Sequence, residues 1–159
     1  LLRLEGIASS VAARRETLCA LAGSDTSTLD DAASTALWQE IREVALLPAG
    51  GVVWRLSVPP QAGAAVARVI AGQTEGEFLF DWAGGLLWLA LPGSAAKADV
   101  VRAAIASCGG HATLMRAPAE VRRGVAVFQP QPASVAALSR RVKAAFDPAG
   151  VLNPGRMVV

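Results

Sequence analysis

The fold of this chain can be read outward from Val52-Val53-Trp54-Arg55-Leu56-Ser57-Val58, which Pro59 and Pro60 follow. Apolar residues that alternate with Arg55 and Ser57 predict a half-buried strand over 52–58. The two prolines end this strand and favour a helix start, because the fixed φ of proline suits a first helical turn. A helix over 62–71 is therefore expected next.

The same kind of pattern continues as far as residue 116. It predicts strands over 77–82, 86–91 and 111–116, a turn at Ala83-Gly84-Gly85, and a helix over 95–108 that Gly109-Gly110 stops. The order β-α-β-β-α-β predicts a ferredoxin-like unit over 51–117. Right-handed crossovers place strand 111–116 antiparallel to strand 52–58 and beside it. On the other side of strand 52–58 lie strand 86–91 and then strand 77–82. Both helices lie on one face of the sheet.

The flanking segments extend this unit in both directions. The patterns predict a strand over 1–7 and helices over 10–21 and 30–46, which form an extra N-terminal β-α-α segment. A further helix and a turn-rich tail make up 131–159. The predicted fold class is therefore α+β, with one domain over 1–130 and a C-terminal helix-plus-loop tail.

Composition excludes several classes of protein. The chain has 159 residues, of which 53% are hydrophobic, but no apolar run approaches the roughly 18 residues of a membrane span. Its net charge of +2 gives no reason to expect nucleic acid as a partner. Cys19 and Cys108 fall in apolar helical patterns, which fits a reducing compartment, with cytoplasm as the default. Because Leu1 already begins a structured pattern, we expect further protein upstream of it.

One sheet face carries the chemistry-bearing side chains. If Leu56 and Leu114 face the helices, the opposite, open face presents polar groups from two neighbouring strands: Arg55, Ser57, His111 and Thr113. An arginine can clamp a carboxylate with two parallel hydrogen bonds, and an imidazole can accept a hydroxyl proton near neutral pH. This set predicts a site for a small 2-hydroxy acid. The same side chains also fit a merely solvated sheet surface, so both interpretations stay open.

In that site Arg55 and His111 are the candidate catalytic residues, and Arg55, Ser57 and Thr113 are the candidate substrate-binding residues. A metal centre is not expected. Zinc sites built from histidine and cysteine usually need three or four ligands, and His111 is the only histidine.

The C-terminal tail reads Phe146-Asp147-Pro148-Ala149-Gly150-Val151-Leu152-Asn153-Pro154-Gly155-Arg156. So many turn-forming residues indicate a specific loop, although a proline-stopped helix with an ordinary loop is the plainer interpretation. The pattern F-D-P-x-G-x-L-N-P-G-R resembles the C-terminal signature of FAD-linked oxidases of the vanillyl-alcohol oxidase type. That resemblance implies a cap domain whose sheet covers the flavin, and a tail that docks on the protein's own N-terminal FAD-binding domain.

Three further stretches resemble the FAD-binding accessory (E) subunits of bacterial glycolate oxidase: Leu37–Arg42, Trp54–Pro59 and Gly109–Leu114. The resemblance covers nearly the whole chain and corresponds to the C-terminal half of such a subunit. It implies a flavoprotein that oxidises glycolate to glyoxylate with FAD as hydride acceptor, as part of a complex with sister subunits. Asn153, Pro154 and Gly155 would contact the cofactor, which a domain absent from this chain mainly holds.

The resemblance further implies that this segment alone is inactive, and that the complex could bring it to the inner membrane as a peripheral protein. Related 2-hydroxyacid dehydrogenases with a metal site use paired histidines, which this chain lacks. That departure puts in doubt whether this subunit performs the oxidation itself. A second function class therefore remains, a non-catalytic ferredoxin-like module for ligand binding or subunit assembly.

Overall fold

The computed structural model describes residues 1–23 and 25–155, and the chain divides into two compact units, Leu1–Leu46 and Leu47–Val159. The first unit contains helices α1, Ala8–Ala22, and α2, Asp31–Glu43. Asp30 begins α2, because its carboxylate accepts the backbone N–H of Ala33 at 2.8 Å. Val44 ends the helix with a left-handed φ of 57°.

The predicted strand over 1–7 is wrong. These residues have no regular secondary structure. Leu1, Leu2 and Ile7 are exposed. A strand needs a hydrogen-bonded neighbour, and an apolar pattern alone does not identify one.

The second unit follows the predicted order of elements. Its strands are β1, Val52–Ser57; β2, Glu77–Asp81; β3, Leu86–Leu91; and β4, His111–Arg116. Its α-helices are α3, Gly63–Ala71; α4, Ala98–Ala106; α5, Ala119–Gly124; and α6, Ala133–Phe146. Short 3-10 turns at Pro60–Ala62 and Trp82–Gly84 lead into α3 and join β2 to β3. The sequence patterns did not predict α5.

The sheet confirms the predicted topology. Its four strands lie in the order β2-β3-β1-β4, and every neighbouring pair is antiparallel. The fold is therefore α+β with a ferredoxin-like unit, as predicted. One irregularity lies between Val53 and Trp54, where the register with β4 slips and leaves Met115 as the extra residue of a β-bulge.

The core lies between one sheet face and helices α3 and α4. Leu56 and Leu114 belong to this core, as predicted, and pack with residues such as Ile70 and Ile105. Trp54 is fully buried, and its indole N–H donates to the carbonyl of Ala96 at 2.8 Å. This hydrogen bond satisfies a polar group that would otherwise be costly inside the core.

The two outer edges of the sheet differ. At β4, the N–H of Leu114 donates to the carbonyl of Val127 at 2.8 Å, so residues after α5 cover this edge. Arg102 holds that segment from α4, because its guanidinium donates to the carbonyls of Ala126 and Phe128. At β2, the outer edge pairs with no strand among the described residues.

Among residues 1–23 and 25–155, no helix is both long and apolar enough to cross a bilayer.

Candidate functional site

The four side chains of the predicted site occupy adjacent positions on β1 and β4. Arg55 lies opposite Thr113, and Ser57 lies opposite His111. Opposite Cα atoms in an antiparallel sheet are about 5 Å apart, and every second residue along a strand is about 7 Å further on. The four Cα atoms therefore outline a patch of about 5 by 7 Å, which matches a small hydroxy acid in size.

Arg55 does not stand alone in solvent. It is half-buried, and its guanidinium carbon lies 5.4 Å from the centre of the Trp82 ring. A guanidinium at this distance from an indole is attracted to the negative face of the ring. Trp82 thus holds Arg55 at the end of β1 that is nearer to the β2–β3 turn.

Sequence reasoning missed this role of Trp82. The pattern placed it at the end of a strand over 77–82, but the strand ends at Asp81, and Trp82 has a left-handed φ of 51°. The Asp81 carboxylate accepts the N–H of Trp82 at 2.7 Å and so favours the turn. Trp82 is 59% exposed, which leaves its ring free to receive Arg55.

His111 is exposed at the start of β4, and the glycines before it explain its position. Gly109 has a φ of 71°, which other residues rarely adopt. A Cβ atom added to Gly110 would lie 2.7 Å from Cγ1 of Val58 and 2.9 Å from the carbonyl oxygen of Ser57. The absence of a side chain at Gly110 therefore lets β4 approach β1 closely where His111 meets Ser57.

The rest of the open face is less polar than the alternation suggests. Val53, Leu86 and Ala90 lie on this face and are buried. Apart from Glu77 and Asp81 on β2, the polar groups of this face are therefore concentrated where β1 meets β4.

The C-terminal loop is organised around one carboxylate. Asp147 is buried and accepts the N–H groups of Val151 at 2.9 Å and Leu152 at 3.0 Å. The ammonium of Lys143 pairs with the same carboxylate and also donates to the carbonyl of Leu152 at 3.2 Å. The hydrogen bond from Lys143 lowers the pKa of Asp147, burial opposes this shift, and the two backbone N–H groups reinforce it.

The predicted cofactor residues lie on this loop. Asn153, Pro154 and Gly155 are exposed, and Asn153 and Gly155 have left-handed φ values of 45° and 72°. Arg156 of the tail pattern lies outside the described residues. No hydrogen bond or ion pair joins this turn to the open face in the part of the chain that the structure describes. The structure thus groups the four sheet residues at adjacent strand positions.

Helix α6 carries an exposed apolar stripe next to this loop. Val135, Leu138, Val142 and Phe146 follow helical spacing on one side, and their exposed fractions range from 45% to 83%. Residues 133–146 include no buried side chain. A stripe of this kind is typical of a helix that packs against another surface.

Residues 1–23 and 25–155 contain no cluster of three histidine, cysteine, aspartate or glutamate side chains that could hold a metal ion.

Comparison with known proteins supports the resemblance that the sequence motifs carry. Residues 130–157 match the family model of the C-terminal domain of FAD-linked oxidases. The chain is also 34% identical over 160 aligned positions to the glycolate oxidase subunit GlcE of Escherichia coli strain K12. The alignment includes 98% of this chain but only 38% of that relative. No solved structure matches the chain. The predicted resemblance to FAD-linked oxidases and to glycolate oxidase subunits is confirmed.

Proposed function

We propose that this chain is the cap and C-terminal part of a flavoprotein subunit that oxidises glycolate, or a close 2-hydroxy acid, to the 2-oxo acid. The observation that carries the proposal is the grouping of Arg55, Ser57, His111 and Thr113 at adjacent positions of one sheet face. It is joined by the similarity of nearly the whole chain to part of a glycolate oxidase subunit. Together they favour an oxidoreductase over a free-standing ligand sensor.

In this proposal Arg55 binds the substrate carboxylate through two N–H groups of its planar fork. The hydroxyls of Ser57 and Thr113 hydrogen-bond to substrate oxygens and fix the orientation of the reacting carbon. His111 lies at the opposite corner of the patch and accepts the proton of the substrate hydroxyl. The stacking of Arg55 on Trp82 restricts the guanidinium before the substrate arrives, which lowers the entropy cost of binding.

FAD, when bound, supplies the acceptor for the hydride that leaves the hydroxyl-bearing carbon. The described residues fit only one end of such a cofactor. The open face offers a cation, hydroxyls and the exposed ring of Trp82, but the chain has no glycine-rich loop to surround a diphosphate. Asn153, Pro154 and Gly155 would add contacts from the tail, while an FAD-binding domain elsewhere in the protein holds most of the cofactor.

The tail and α6 have a docking role in this proposal. The apolar stripe from Val135 to Phe146 would pack on the protein's own FAD-binding domain, with the Asp147 loop placing the Asn153 turn at the cofactor. Sister subunits of the oxidase would complete the assembly, and the isolated segment would neither retain FAD nor oxidise glycolate.

The test compares Arg55→Lys with Arg140→Lys in the complete enzyme. Arg55→Lys keeps the charge but loses the bidentate fork, so kcat/KM for glycolate should fall roughly ten- to a hundredfold. Arg140 is exposed on α6, and its replacement by lysine should change kcat/KM little. Steady-state kinetics, with circular dichroism for folding and absorbance for flavin content, measure both variants.

Two results would contradict the proposal. Equal kinetics for the two variants would make Arg55 a structural residue. A loss of flavin from Arg55→Lys with unchanged turnover per bound flavin would move Arg55 from the substrate to the cofactor or to an interface.

A further inference from the structure

The outer edge of β2 is built differently from the outer edge of β4. Residues 125–129 cover β4, whereas β2 pairs only with β3 among the described residues. Free edges with apolar side chains invite pairing with another strand, and proteins usually protect them. This chain protects one edge and leaves Phe80 46% exposed at the other.

The hydrogen-bonding groups of this edge can be assigned from the ladder. The N–H of Val58 donates to the carbonyl of Gly85, so the odd residues of β3 bond to β1. Because the direction alternates along a strand, the even residues of β3 bond to Glu77, Leu79 and Asp81. The backbone N–H and C=O groups of Phe78 and Phe80 therefore point outward, away from the sheet.

Side chains along β2 present a different chemistry on each face. Phe78 and Phe80 lie on the helix side, where they line a shallow apolar groove of about 340 Å³ together with Ala64, Ala67, Ala71 and the stem of Arg68. Glu77 and Asp81 lie on the open face, one at each end of the strand.

A second copy of the chain fits this edge poorly in the antiparallel register that pairs all of Glu77–Asp81. In an antiparallel pair of two β2 strands centred on Leu79, Glu77 would face Asp81 of the copy at both ends. Like charges directly opposite one another destabilise a strand pair. The same carboxylates would instead attract a strand with basic side chains.

We propose that the β2 edge binds an extended segment of a partner polypeptide as an added antiparallel strand. The partner segment alternates apolar residues, which enter the groove beside Phe80, with lysine or arginine, which face Glu77 and Asp81. Backbone hydrogen bonds to Phe78 and Phe80 supply affinity, and the alternation of apolar and basic side chains supplies specificity.

Three synthetic peptides of nine residues test this surface on the intact protein. The first alternates valine with lysine, and the second alternates valine with glutamate. The third has the sequence of the first, but the backbone nitrogen of each valine is methylated. In antiparallel pairing the valine N–H groups face β2 and the lysine N–H groups face solvent. A fourth peptide, in which the backbone nitrogen of each lysine is methylated and the side-chain amines are unchanged, is therefore the matched control.

Fluorescence anisotropy of labelled peptides gives the affinities. The valine–lysine peptide should bind, and the valine–glutamate peptide should bind at least about tenfold more weakly. The valine-methylated peptide should also bind at least about tenfold more weakly, because its backbone can no longer donate hydrogen bonds to β2. Methylation at lysine should change the affinity by less than about threefold. The variant Glu77→Lys should lower the affinity for the valine–lysine peptide about three- to fivefold. The variant Glu120→Lys on α5 should leave this affinity unchanged.

Equal affinity for the lysine and glutamate peptides would overturn the proposed charge complementarity. Equal sensitivity to methylation at valine and at lysine would overturn the added strand. A chain that forms dimers which Phe80→Asp dissociates would show that a second copy, rather than a partner segment, occupies the edge.

Discussion

The substitution Trp54→Phe tests the core that supports the candidate site. Trp54 is fully buried, and its indole N–H donates to Ala96 at 2.8 Å. Phenylalanine would leave the Ala96 carbonyl without this donor, which costs about 1–3 kcal/mol. The smaller ring would also leave a small void, which costs about 1–2 kcal/mol more. The free energy of unfolding should therefore fall by about 2–5 kcal/mol, and Tm by roughly 4–20 °C.

Trp82→Phe makes the same chemical change at a residue that is 59% exposed and whose indole N–H donates no hydrogen bond in the described structure, while its backbone N–H still donates to Asp81. It should alter the free energy of unfolding by no more than about 0.5 kcal/mol. Urea unfolding followed by circular dichroism compares the two variants under identical conditions. If Trp54→Phe costs less than about 1 kcal/mol, or no more than Trp82→Phe, the assignment of Trp54 as the hydrogen-bonded centre of the core is wrong.

Two other predictions concern single residues near the proposed functional surfaces. Gly110→Ala should destabilise the chain by about 1–3 kcal/mol, because the added Cβ would meet Val58 and the Ser57 carbonyl. Gly124 has open space around it, so Gly124→Ala should cost less than about 0.5 kcal/mol. Thermal unfolding of both variants measures the difference. Since the pKa of Asp147 is lowered in the folded chain, its carboxylate stabilises the fold above about pH 4, and this contribution is lost as pH falls through the lowered pKa. Urea midpoints between about pH 6 and pH 3 should therefore fall less steeply for Asp147→Asn than for the unmodified chain, and parallel curves would show that the loop does not depend on this charge.

Periodicity predicted the sheet well because its information is local. The strands over 86–91 and 111–116 have the predicted bounds, and the alternation at Leu56 and Leu114 identified the core face. Crossover handedness then determined the strand order. These features depend on the repeat of apolar residues and not on any single distant contact.

The features that were missed depend on particular side-chain hydrogen bonds, which apolar periodicity does not record. Arg102 reaches the carbonyl groups of residues 126 and 128, and this contact covers β4 with a segment that has no strand pattern of its own. Trp82 leaves its predicted strand because the neighbouring Asp81 carboxylate captures its N–H. The strand predicted over 1–7 failed because an apolar pattern alone does not supply the hydrogen-bonded neighbour that a strand needs.

The loop around Asp147 has a consequence for the speed of assembly. Among residues 1–23 and 25–155, the hydrogen-bond partners of this carboxylate all lie within five residues along the chain: Lys143, Val151 and Leu152. Contacts of such short sequence separation close on a submicrosecond timescale, well before a sheet with distant pairings forms. A surface that binds the Asn153 turn therefore contacts a loop that has already folded, and its association rate is not limited by a conformational change of the loop.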